Sequence, residues 1–161
     1  MTTSQTETLT NVNPDVASGT AQFLSPLVVD LEAIVVNGKQ AHWHLRGANF
    51  IGVHELLDTV VADVQGWADL AAERVVALGL PVDSRLSTVA SKTTVPELSA
   101  GFQQSENSIP EVVAMLDAAI TTARTAVDGL DEVDLNSQDI AIEIVRGLEK
   151  DRWLLLAHIA K

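Results

Sequence analysis

The sequence predicts an all-α chain: a bundle of four helices with one long crossover that carries a short helix. Three observations predict it. Apolar residues recur every three or four positions along four long segments, the period of a helix with one buried stripe. Ala, Val and Leu dominate a composition that is 47% hydrophobic and lacks tyrosine, with nine glycines and five prolines. The breaks between segments leave the first and last connections short and the middle one long. At 161 residues the chain has the length of one domain with a sizeable core. We read residues 1–17 as a flexible, irregular tail and 18–161 as the bundle.

In the first helix Leu24, Val28, Leu31, Val35, Gly38 and His42 advance by three or four, so His42 continues an apolar stripe. Pro26 fits either the first turn of this helix or a slight bend within a longer one. Arg46-Gly47-Ala48-Asn49 is a break, with Asn49 as the N-cap of a second helix over about Ile51–Leu78. Gly79 suits the position after its end, and Pro81 prevents continuation. Two helices joined this closely run antiparallel. From Leu80 to Asn107 the periodicity weakens, and a short helix is expected near Arg85–Ser91. Ser108-Ile109-Pro110-Glu111 has the S-x-x-E form of a capping box for a third helix ending near Gly129. After the acidic turn Asp131–Asp134 comes a fourth helix, with Ile140, Ile144, Val145, Leu148, Arg152, Leu155 and Ile159 close to one stripe. This is the ferritin-like arrangement among four-helix bundles.

Charge and composition exclude several function classes. The net charge is −12, and none of the ten Lys or Arg residues precedes Lys39, so no basic tract is present to neutralise phosphates. The absence of cysteine removes disulfides, thiolate metal sites and cysteine nucleophiles. The N-terminus lacks the basic and apolar regions of a signal peptide, and no uninterrupted apolar run approaches a membrane span.

The chemistry concentrates between Lys39 and Arg74. On a wheel at about 100° per residue, Asp58, Asp69 and Glu73 lie within about 100° of His54, so all four share one face of the second helix. His54 with Asp58, and Asp69 with Glu73, are spaced so that their side chains converge. Asp58 and Asp69 are nevertheless about 16 Å apart along the axis, while metal–ligand bonds are near 2 Å. An antiparallel two-fold pairing of this helix with its copy, with the axis near Asp63–Val64 and Gly66 permitting close approach, removes the conflict. His54 and Asp58 then face Asp69 and Glu73 of the second copy, and His42 completes the half-site. An isologous interface makes two such sites per dimer. Two imidazoles and three carboxylates suit Fe(II), and also Mn or Zn. The absence of E-x-x-H removes the usual site inside a single bundle. Salt bridges from Lys39 or Arg74 are the metal-free alternative for these carboxylates.

His42, Trp43, His54, Asp58, Asp69 and Glu73 fill the pattern H-W-x10-H-x3-D-x10-D-x3-E, flanked by KQAHWHLRGANF, VHELLD and AAER. In this stretch the chain resembles the Dps family, the DNA-binding proteins from starved cells, within the ferritin-like superfamily. The resemblance implies a hollow dodecamer built from dimers and a ferroxidase centre in which His42, His54 and Asp58 of one subunit meet Asp69 and Glu73 of its mate. It implies iron as the bound metal, oxidation of Fe(II) by hydrogen peroxide, storage of ferric mineral and protection of the cell and its DNA from oxidative damage. With no signal peptide or membrane span read in the sequence, a cytoplasmic protein is expected, with association to the nucleoid left open. Trp43 becomes a candidate electron relay, with core packing as the alternative.

Asp128, Asp131, Glu132, Asp134 and Asp139 become candidates for an acidic pore admitting iron, with capping and a solvated turn as the alternative. Some family members bind DNA through a lysine-rich tail. Residues 1–38 here carry no positive charge, so the competing function, a DNA-binding shell with vestigial metal sites, lacks its usual anchor. His54-Glu55-Leu56-Leu57-Asp58 falls one residue short of the zinc-protease H-E-x-x-H motif and has no other protease signature. His44 and His158 read as structural or surface residues.

Overall fold

The computed structural model describes residues 12–160. In chain order these form α1 (Pro14–His44), β1 (Leu45–Arg46), α2 (Phe50–Ala77), α3 (Leu86–Lys92), β2 (Gln103–Gln104), α4 (Ser105–Leu130) and α5 (Leu135–Ala157). The four long helices make the ferritin-like four-helix bundle, and α3 lies in the crossover between α2 and α4.

Two boundaries differ from the sequence expectation, and a third lies where expected but is made differently. First, α1 begins at Pro14, inside the expected tail. The Asn13 side chain accepts the Asp15 N–H at 2.9 Å, and Pro14 occupies the first turn, where its missing N–H costs nothing. The rest of that tail, residues 1–11, lies outside the described residues. Pro26 therefore sits within a continuous helix. Second, Ser108 does not cap α4. The helix starts at Ser105, Ser108 is buried inside it, and Glu111 instead accepts the Ser99 N–H at 3.1 Å and hydroxyl at 2.5 Å. Third, Asn49 precedes α2 as expected but makes no side-chain cap. It adopts φ 60°, a left-handed conformation that asparagine tolerates better than most residues. At the other end of α2, Gly79 at φ 91° donates to Val76 O at 2.9 Å, and Leu80 donates to Val75 O at 3.3 Å, closing the helix as a Schellman motif.

Close approaches fix the topology. Phe23 meets Gly129, and Asp30 bonds Thr122, so α1 runs antiparallel to α4. Trp67 meets Gly147, and Arg74 bonds Ser137, so α2 runs antiparallel to α5. With tight turns joining α1 to α2 and α4 to α5, α2 and α4 must point the same way. The chain between them has to travel the length of the bundle, which is why the crossover is long. Its far end pairs in parallel with the α1–α2 turn, Leu45 with Gln103 and Arg46 with Gln104. The Arg46 guanidinium lies 3.2 Å from the Phe102 ring centroid.

The core is aliphatic, and Leu24, Leu31, Leu57, Leu116, Ile144 and Leu148 are fully buried. α1 is long and apolar enough by composition to cross a membrane, but half of its apolar window is buried inside the bundle, where it packs on both α2 and α4. Gly147 allows the Trp67 indole to close on α5. A Cβ there would lie 2.0 Å from Cζ2 of Trp67. Gly147→Ala is therefore expected to lower stability by about 1–3 kcal/mol, read as a fall in the denaturant midpoint.

Asp30 clamps the crossover to the bundle. It is 1% exposed, and it accepts the Thr94 N–H at 2.7 Å and the hydroxyls of Thr93, Thr94 and Thr122 at 2.9, 2.8 and 2.7 Å. A buried carboxylate with four donors is satisfied without a cation. Asp30→Ala strands those donors and is expected to cost about 3–5 kcal/mol. Chemical denaturation checks this, and equal midpoints for variant and parent would refute it.

Candidate metal centre

α1 and α2 cross where His42 meets His54. Their imidazoles stack with centroids 3.6 Å apart and planes 21° apart, His42 only 6% exposed. Each Nδ1 bonds the other residue's backbone carbonyl, His42 to His54 O at 2.8 Å and His54 to His42 O at 3.0 Å. A carbonyl only accepts, so each Nδ1 carries the proton and donates. In a neutral ring this leaves the Nε2 lone pair free for a metal. Reciprocal backbone bonds thus set both tautomers and hold both rings, the role usually taken by outer partners of metal-bound histidines.

Asp58, one turn after His54, places Oδ1 3.5 Å from His42 Nδ1 and 2.5 Å from Lys39 Nζ. The hydrogen-bonded Lys39 ammonium, helped by the nearby imidazoles and opposed by partial desolvation, holds the Asp58 carboxyl below its usual range. Asp58 is thus ionised and carries a displaceable cationic partner. Of the two cations expected as metal-free partners, Lys39 takes that role. Arg74 does not: it bonds Asp134 at 2.7 Å and leaves Glu73 to solvent.

One subunit therefore sets His42, His54 and Asp58 side by side, without aiming their donor atoms at one point. Asp69 and Glu73 sit exposed farther along α2, bordering a depression of about 410 Å³ with Asp63, Trp67 and Glu143. Among the described residues no group of three or more His, Asp or Glu side chains converges on one point within the subunit. The two halves of the predicted set remain apart, as the axial spacing on α2 requires. Between them, a Cβ on Gly66 would meet nothing within 4 Å in its own subunit, so this segment of α2 presents bare backbone.

The other candidates fall in three places. Trp43 is 62% exposed and so is not a core residue of the subunit. Asp134 caps α5 by accepting the Ser137 N–H at 2.9 Å, and Arg74 and Ser137 depress its pKa against the effect of burial. Asp131 accepts from Gln138 Nε2 at 3.0 Å. Asp128 borders a depression with Arg124 and Arg146, whereas Glu132 and Asp139 are exposed. His44 bonds Gln40 at 2.9 Å and packs near Phe102, a structural role, and His158 lies at the exposed end of α5.

Sequence reasoning passed over one group. Arg152 was expected on the buried stripe of α5, but it pairs with Asp117 across the surface at 2.5 Å. The buried residue is its neighbour Asp151, 1% exposed. The signal was present: Asp151 follows Ile144 and Leu148 at spacings of four and three, on the apolar stripe itself.

Comparison with known proteins gives one consistent picture. Residues 21–161 match the ferritin-like domain. The DNA protection during starvation protein of Agrobacterium fabrum is 35% identical over 133 residues, covering 82% of this chain and 80% of that protein. Its namesake in Mycolicibacterium smegmatis is 29% identical over 152 residues, covering 94% and 83%. Among solved structures, Dps from Microbacterium arborescens in the high iron form superposes with a TM-score of 0.90 at 59% identity, covering 93% of this chain and 98% of that one.

Proposed function

The chain belongs to the Dps family within the ferritin-like superfamily, and we propose that it is a ferroxidase and iron store whose active site two subunits share. The observation that carries this reading is the split ligand set on α2. His54 and Asp58, joined by His42 from α1, share one face of α2 with the exposed Asp69–Glu73 pair, and the two halves do not meet in one subunit. An antiparallel copy of α2, crossing near Asp63–Val64, supplies to each half what it lacks. A relative solved in a high iron form agrees with iron as substrate.

On this reading Fe(II) displaces the Lys39 ammonium from Asp58 and binds the free Nε2 atoms of the imidazoles. Three carboxylates per site offset the charge gained on oxidation to Fe(III). Two Fe(II) ions give one electron each to one hydrogen peroxide, the O–O bond breaks, and two hydroxides leave as water once protonated. Both Fenton reactants are consumed without a free radical. The ferric product is stored inside a dodecameric shell, and the acidic surface around Asp128, Asp131, Glu132 and Asp139 attracts the incoming cations. Asp134 is committed to Arg74 and contributes least to that attraction. We assign no general base.

Anaerobic Fe(II) titration followed by peroxide tests the proposal. Saturable binding and then rapid oxidation are expected, and absence of saturable binding would sink it. In metal-soaked crystals, an anomalous peak at the iron edge enclosed by one subunit would contradict the shared geometry. Trp43→Phe should leave binding stoichiometry unchanged while altering electron transfer during oxidation; lost binding would end the relay role.

The relatives' names favour protection of DNA as the physiological outcome. We place that protection in the chemistry, because residues 1–38 lack the positive charges of a DNA-binding tail. A salt series of gel shifts on the assembled protein should show no retained DNA at about 0.15 M salt, where long-range attraction is screened. A complex that survives at that salt would restore direct DNA binding.

A further inference from the structure

We propose that Asp63 and Asp151 form a second cation site, between α2 and α5 of one subunit, that takes a small oxygen-preferring divalent ion. This site shares no residue with the five-ligand centre and does not rest on the ferroxidase reading.

The two helices run antiparallel, and Trp67 closes on Gly147. Four residues back along α2 and four forward along α5 are Asp63 and Asp151, so the two carboxylates fall on facing turns. Asp151 is 1% exposed, and its Oδ2 is buried with no hydrogen-bond partner. Asp30, the other deeply buried aspartate among the described residues, has four donors, which makes the bare oxygen of Asp151 an exception among them. Among the described residues no basic side chain bonds Asp151: Lys150 next to it is exposed, and Arg152 is turned to Asp117. Burial first, and then the charge of Asp63, push the Asp151 carboxyl up, to about 6, against an opposing effect from Lys150.

Asp63 also borders the depression that holds Asp69, Glu73 and Glu143. It thus joins the buried carboxylate to an acidic groove through which a cation can arrive. Two carboxylates with water completing the shell is a common way to hold a small hard divalent ion. Binding one would neutralise the buried Asp151 charge, whose burial is costly, and relieve its repulsion from Asp63.

Mn(II) binding followed by electron paramagnetic resonance tests the assignment under anaerobic conditions. In a D58N/E73Q background, which disables the five-ligand centre, Mn(II) should still saturate a site at about one ion per subunit, with Mg(II) competing weakly and Fe(II) strongly. Adding Asp151→Asn to that background should remove this class of binding. Asp63→Asn, at the half-buried mouth, should weaken it at least tenfold and serves as the readout if the Asp151 variant does not assemble. Loss of all Mn(II) binding in the D58N/E73Q background overturns the site, as does binding that survives both Asp151→Asn and Asp63→Asn. Failure of the five-ligand centre would appear separately, as parent protein whose Fe(II) binding depends only on Asp63 and Asp151.

Discussion

Asp58→Asn shells and Glu73→Gln shells are each expected to lose rapid peroxide-dependent Fe(II) oxidation, and shells assembled from a mixture of the two are expected to regain part of it. Each single loss should reach about 100-fold, because even the outer partners of metal ligands are worth 10–100-fold. Recovery in the mixture follows from the two-fold geometry. In a mixed dimer, one site receives both substitutions and is doubly defective. The other combines Asp58 of one subunit with Glu73 of its mate and is intact. Random assembly makes half of the dimers mixed, with one intact site in two, so about a quarter of the parental sites should return. Stopped-flow oxidation on shells refolded from equal amounts of both variants measures this. Activity no higher than the mean of the separate variants would mean that each site lies within one subunit.

That result would rest on a spacing visible in the sequence before any coordinates. The eleven helical steps from Asp58 to Asp69 make a distance no single ion can bridge, and the phase of the wheel puts both on one face. The bundle was legible for the same reason: periodic stripes survive in the structure at Leu24, Val28, Leu31, Ile144 and Leu148. What the sequence left hidden depends on contacts remote along the chain. The tautomers of His42 and His54 are set by each other's carbonyls, and no local rule anticipates that exchange. Asp30 reads as a polar interruption of α1 until the crossover folds back and delivers Thr93 and Thr94 to it. Ser108 looked like a cap because S-x-x-E is a local pattern. The true start of α4 is set by β2 pairing with β1 and by Ser105 donating to Ala48 O at 3.0 Å, both of which pin the chain three residues earlier.

The second large effect concerns Asp151 in metal-free protein. Its carboxyl titrates near 6 in the fold against 3.8 for the ordinary group, because burial and Asp63 disfavour the charge. The folded state therefore holds this proton more tightly than the unfolded chain. Below about pH 4 both states are protonated and Asp151 imposes no penalty. As pH rises from there the unfolded chain ionises first, so stability falls, and the loss is complete above about pH 6, where it amounts to about 2–3 kcal/mol. Asp151→Asn carries no charge and lacks this slope. Comparing variant with parent at pH 5 and again at pH 7.5, both in chelator, cancels the groups they share. The difference should move in favour of the Asn variant by about 1–1.5 kcal/mol between those two pH values. Denaturant midpoints at the two pH values provide the measurement. A difference that stays constant, or moves in favour of the parent, would mean that the Asp151 carboxylate is stabilised in the fold by a partner that remains when metal is removed.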